Sequence, residues 1–132
     1  MKLYFCLFLL ILILPGCKKE QTVYQSNIKG TWQVYKYVLY NIQETGVFQD
    51  NYTDYTIKFD GAGNYSEFYH NSVDTFTPHG TYYFTSYYNT LVLTQSQPDS
   101  LVRTYSVFDL TGSAVQLRTD TSQLYMSKDS TI

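Results

Sequence analysis

The chain has 132 residues, with eleven acidic and nine basic side chains, 18% aromatic residues and two cysteines. A nucleic-acid binder shows a basic stripe; here the basic residues are scattered, only Lys18 and Lys19 being adjacent, and nucleic acid is excluded as a partner. The length suits one domain.

The chain opens on Lys2 and an unbroken apolar run from Leu3 to Leu14, followed by Pro15, Gly16 and Cys17. A charged start and an apolar segment of about 7 to 15 residues describe an export signal, whereas a membrane span needs roughly 20. Leu14-Pro15-Gly16-Cys17 resembles the lipobox of bacterial lipoproteins, Pro15 being its one unusual residue. The resemblance implies that residues 1–16 are a removed signal peptide. Cys17 then carries two acyl chains on its thiol and usually a third, palmitate among them, on the new amino terminus, a firm membrane anchor. Lys18 rather than Asp after the cysteine implies the outer membrane, facing either side.

Losing Lys2 leaves eight basic against eleven acidic residues, a net charge of about −3, and removing sixteen of the 132 residues leaves 116. Cys6 leaves with the signal and Cys17 is acylated, so no disulfide holds the domain and its core must do so. Residues 17–27 read as lipidated cysteine and tether, for Lys18 to Asn27 are mostly polar and without apolar period. Ten extended residues reach about 35 Å. Lys18 and Lys19 lie where anionic headgroups would be.

Residues 28–132 have the composition of a sheet, since fourteen of the fifteen tyrosines follow the signal and aromatic and β-branched residues suit pleated surfaces. Turn signals divide this region into eight predicted strands: Thr31–Ile42, Tyr52–Phe59, Asn64–His70, Gly80–Ser86, Thr90–Gln95, Leu101–Leu110, Ala114–Thr119 and Gln123–Lys128. The clearest hairpin turns through Asp60-Gly61-Ala62-Gly63-Asn64, where Asp and Asn can bond nearby backbone. The same residues could suggest calcium, but a calcium loop needs more carboxylates.

Eight short antiparallel strands lose their edges by closing into an up-and-down barrel. The fold class predicted is therefore all-β, a single small barrel. Alternation turns Trp32, Val34, Val38, Tyr55, Ile57, Phe59, Tyr82, Phe84, Leu91, Leu93, Tyr105, Val107, Val115, Leu117, Leu124 and Met126 inward. Lys36 shares the side of Trp32 and Val34, which calls for a bulge or a lysine at the mouth. Phe68 and Tyr69 compete for the inside.

Gly30-Thr31-Trp32 at the first strand, the Asp60-to-Tyr65 hairpin and Gly80-Thr81-Tyr82-Tyr83 together resemble the lipocalin-like domains of small bacterial lipoproteins. The resemblance implies a barrel floor built on Gly30 and Trp32 and covered by a late basic side chain, Arg118 first and Lys128 second. Thr53-Asp54-Tyr55 matches another lipocalin motif but stands too early in the chain to carry that role. Strands of about six residues span roughly 20 Å, and an eight-stranded barrel is filled by side chains or holds one small ligand. With so many aromatics inside, a sterol-sized cavity is not expected.

No catalytic arrangement or cofactor motif is evident, and a non-enzymatic protein is expected. His70 and His79, with Asp74 between them, read as solvated loop-end residues rather than a metal site. Glu67 and Asp109 read as outward-facing. The resemblance implies binding of a small apolar or amphipathic ligand, walled by Tyr55, Tyr65, Phe84 and Tyr105. The alternative is an envelope protein or glycan held on exposed tyrosines, for which Tyr35, Tyr37 and Leu39, opposite Trp32, and Tyr87-Tyr88 are the candidates.

Overall fold

The computed structural model describes residues 17–40, 53–85 and 87–128. The signal segment 1–16 and the predicted strand ends at Ile42, Tyr52 and Ser86 lie outside the described residues. Among the described residues one helix, α1 (Cys17–Ile28), precedes nine strands: β1 (Gly30–Leu39), β2 (Thr53–Phe59), β3 (Asn64–His70), β4 (Thr75–Phe76), β5 (His79–Phe84), β6 (Thr90–Gln97), β7 (Leu101–Phe108), β8 (Ala114–Arg118) and β9 (Ser122–Lys128).

Every pairing is antiparallel, and β2 bonds to both β1 and β3, which closes eight strands into a ring. The short β4 is appended to the upper part of β3, at Tyr69 and His70. All eight predicted strands are present. Two residues carry no readable alternation, so β4 could not be foreseen. Strands β1, β3, β6 and β8 run from the closed floor, marked by Trp32, toward the open mouth; β2, β5, β7 and β9 return.

The segment expected to be an extended tether is helical instead. Twelve residues of α-helix rise about 18 Å, half the extended reach. Tyr24 and Ile28 are four apart and share a helical face. Ile28 is fully buried, and the Tyr24 ring lies 5.9 Å from those of Phe84 and Tyr88. The last carbonyls of a helix lack partners within it. Here the Trp32 indole Nε1 donates to Ile28 O at 2.6 Å and Lys128 Nζ to Asn27 O at 3.1 Å. Such short helices gain their stability from tertiary packing, which is why local sequence did not announce this one.

Gly30 makes the turn from α1 into β1 with φ +130°, and a Cβ there would stand 2.7 Å from Lys128 Cε. Both the backbone and the space require glycine.

Thirteen of the sixteen residues expected inward are buried, and Phe84 and Val107 pack against them partly buried. Val38 departs. The ladder between β1 and β9 slips between Val34 and Lys36, a bulge that exchanges the faces of all that follows. Tyr37, expected outside, therefore packs on the core, and Leu39 shares its face. Lys36 stays exposed with Nζ 5.0 Å from the Tyr125 ring centre. In β3 the inward set is Tyr65, Glu67 and Tyr69, while Phe68 is exposed. Glu67, expected to face solvent, is thus buried; Asp109 is exposed and accepts from Gln116 Nε2 at 2.9 Å.

Candidate functional site

Three inward rows meet halfway up the lumen. Tyr55 comes from β2, Tyr65, Glu67 and Tyr69 from β3, and Arg103 and Tyr105 from β7. Glu67 is the centre: its side chain is 1% exposed and forms an ion pair with Arg103, whose own side chain is 21% exposed. Strands β3 and β7 are not neighbours in the ring, so this pair crosses the lumen. Tyr55 Oη donates to Glu67 Oε2 at 2.8 Å, and the Arg103 guanidinium reaches Glu67 Oε2 at 3.3 Å, Tyr65 Oη at 3.3 Å and Tyr105 Oη at 3.4 Å. A buried carboxylate is tolerable only when paired and hydrogen-bonded, and Arg103 with Tyr55 meets that condition. Arg103 Nε is buried without a partner, so the guanidinium is held by its terminal nitrogens.

Burial, seconded by the nearby Glu67 charge, raises the Tyr55 phenol well above its ordinary range. Burial likewise pushes Tyr105 up to about 12. Both phenols therefore stay protonated through the physiological range, Tyr55 donating to Glu67 and Tyr105 accepting from Arg103.

Above the ion pair lies a recess of about 1080 Å³, lined inside by Tyr37, Tyr55, Glu67, Tyr69, Arg103 and Tyr105. It opens sideways because β7 and β8 pair only from Ser106↔Arg118 to Phe108↔Gln116. Leu101–Tyr105 thus rise beyond the β8–β9 turn, and the recess passes over residues 118–122 onto Thr104, Ser106 and Phe108 on the outer face of β7. That low wall is tied to β1: Tyr40 N donates to Thr121 O at 2.8 Å, and the Arg118 guanidinium lies 5.0 Å from the Tyr40 ring centre. A second recess, about 470 Å³, lies on the far side of Arg103 and Tyr69, under β4 and Pro98. The expected packed interior is found around the floor, where Trp32, Phe59, Leu91 and Leu117 are fully buried, whereas the upper lumen opens beside the low β8–β9 wall.

The closed eight-stranded antiparallel barrel is similar in fold to solved structures. A lipocalin-like protein from Bacteroides uniformis superposes with a TM-score of 0.59 at 17% identity, covering 77% of this chain and 98% of that one. The fold is lipocalin-like. An uncharacterized protein from Bacteroides eggerthii gives a TM-score of 0.58 at 16% identity, covering 76% and 98%. No protein-family model and no curated protein matches the chain.

The lipocalin-like barrel separates the four residues expected to wall a ligand. Tyr55 and Tyr105 line the recess; Tyr65 lies beneath, against Arg103; Phe84 is at the floor, edge-on to Tyr24. Gly30 and Trp32 are at the floor, and the cation over Trp32 is Lys128, with Nζ 5.0 Å from the ring centre. Arg118, expected there first, is at the mouth instead. Strand parity explains this correction: β8 ends at the mouth and β9 at the floor, where Lys128 is in register with Trp32.

Glu67, Arg103, Tyr37 and Tyr69 were not anticipated in the site. Alternation from inward Tyr65 would have turned Glu67 inward, and alternation from Tyr105 would have done the same for Arg103. His70 Nε2 is 3.9 Å from Asp54 Oδ2, and His79 Nδ1 is 3.4 Å from Thr77 O. Among the described residues no group of three or more His, Cys, Asp or Glu is placed to hold a metal. The Asp60 carboxylate accepts from Asn64 Nδ2 and from the backbone of Ala62 and Asn64, all at 2.8 Å, which lowers its pKa and closes the hairpin. Exposed Tyr35, Tyr83 and Tyr87 stand on β1, β5 and the turn after β5, and Tyr88 leans on Tyr24.

Proposed function

We propose that this chain is a lipid-anchored protein of the cell envelope whose lipocalin-like barrel binds a small amphipathic molecule and catalyses no reaction. The observation that carries the reading is the recess of about 1080 Å³ beside Glu67 and Arg103, just above the roughly 300–1,000 Å³ usual for small-molecule sites. Glu67, the buried carboxylate of the lumen, is committed to Arg103 and Tyr55, which supports holding over catalysis. The lipobox-like Leu14-Pro15-Gly16-Cys17 supports removal of residues 1–16 and acylation of Cys17, and Lys18 supports the outer membrane. Because α1 leads from Cys17 to the barrel floor, an anchor there leaves the mouth turned away from the bilayer.

An envelope protein or glycan partner on exposed tyrosines has less support, since those side chains are dispersed over separate elements.

Two measurements test the reading. Native mass spectrometry of the exported protein, incubated with a cell-envelope extract, should show a reproducible adduct that Tyr105→Trp, which crowds the recess, removes; a clean spectrum overturns ligand binding. Membrane fractionation should find Cys17→Ser in the soluble fraction, and a variant that stays with the membrane overturns the anchor.

A further inference from the structure

The lining of the recess is not that of a lipid pocket. Every described residue that lines it except Phe108 carries a hydrogen-bonding side chain. The inner groups, Tyr55, Glu67, Arg103 and Tyr105, are partnered among themselves, but an acyl chain or a sterol would still take water from the hydroxyls and charges of the rim without offering partners, and polar groups buried unpaired oppose binding. A site built from hydrogen-bonding groups discriminates strongly for molecules that can answer them.

The charges of the lining also balance. Glu67 is paired with Arg103 inside, and the rim adds one cation, Arg118, and one anion, Asp120. An incoming carboxylate or phosphate would have to draw Arg103 away from Glu67, stranding a nearly inaccessible carboxylate, and an incoming cation would strand Arg103. Among the described residues neither ion finds an unmatched counter-charge in the lumen. Beside the pair, Tyr37, Tyr55, Tyr69 and Tyr105 add aromatic surface to the lining, with Tyr55 and Tyr69 packed on one another at 4.9 Å between ring centres and Tyr69 stacked on Phe76 at 5.0 Å, a rigid wall against which a ring can lie. Around it stand hydroxyls at Thr104, Thr119 and Thr121 along the opening.

We infer that the recess takes an uncharged ring compound bearing several hydroxyl groups, the chemistry of a neutral saccharide or its aryl glycoside. This rests on the ligand-binding reading above and narrows it.

The test is calorimetric titration of the exported protein, held in a polyoxyethylene detergent free of sugar, with para-nitrophenyl β-glucoside and para-nitrophenyl β-glucuronide. The two probes differ only at C6 of the sugar, where the glucuronide has a carboxylate in place of the glucoside's hydroxymethyl. The glucoside should bind at least about tenfold more tightly, because the anion must break the internal pair. In Glu67→Gln, which keeps the shape but leaves Arg103 unneutralised, the preference should shift toward the glucuronide by about tenfold or more. Should that variant not fold, the comparison in the unaltered protein still decides. Equal or tighter binding of the glucuronide, or no binding of either glycoside, overturns the inference. If the glycosides fail while the envelope extract still yields its adduct, ligand binding stands and only the ligand class falls; if both fail, both readings fall.

Discussion

Arg103 on β7 and Glu67 on β3 join opposite walls of the barrel through a salt bridge that spans the lumen, with Tyr55 as a second donor to the carboxylate. Removing one partner of a buried pair leaves the other uncompensated, so Glu67→Ala or Arg103→Ala should each cost about 3–5 kcal/mol. The double replacement Glu67→Met with Arg103→Met should cost far less than the sum, since no charge is then stranded. Urea denaturation of the single and double variants checks this; additive losses would show that the pair is not a unit.

At the floor, Trp32 is fully buried and bonded to the last carbonyl of α1. Trp32→Ala should cost about 3–5 kcal/mol. Trp32→Phe keeps much of the packing but loses the bond to Ile28 O, and should mainly loosen α1. Hydrogen exchange should then show faster exchange across residues 18–27 with the strands little changed.

Two glycines make a matched pair. A Cβ at Gly80 would fall 2.0 Å from Thr94 O on the neighbouring strand, whereas one at Gly112 meets nothing within 4 Å. Gly80→Ala must push β5 from β6 and should cost about 3 kcal/mol or more; Gly112→Ala should stay within about 0.5 kcal/mol of the parent. Thermal melts of the two variants give the comparison directly.

Alkaline stability should fall through one window. Burial raises the Tyr105 pKa to about 12, against about 10 in the unfolded chain. Between those values the unfolded chain has lost a proton that the folded chain keeps, so rising pH favours unfolding, by up to about 3 kcal/mol for this residue. Tyr55 is raised as well and acts in the same direction. Below about pH 10 neither contributes any pH dependence. Urea midpoints across the window should drop steeply, less so in Tyr105→Phe, and a flat profile would contradict the burial argument.

Much of the molecule was legible before its structure. The eight barrel strands, their closure and thirteen of the inward residues follow from period-two alternation and turn chemistry, which are properties of neighbouring residues. The floor residues Gly30 and Trp32 announced themselves by position at the first strand.

What only the tertiary structure decided is the set of meetings between distant segments. Helix α1 is held by packing against Trp32, Phe84 and Lys128, not by its own sequence. The bulge after Val34 moved Tyr37 into the lumen, and a slip of one residue has no signature in composition. Lys128, rather than Arg118, covers Trp32 because strand direction sends one to the floor and the other to the mouth. Glu67 and Arg103 read separately as ordinary polar residues in strands. Their pairing is a property of the closed ring alone, because they stand thirty-six positions apart in the chain and β4, β5, β6 and their turns must form between them before the carboxylate and the guanidinium can face each other.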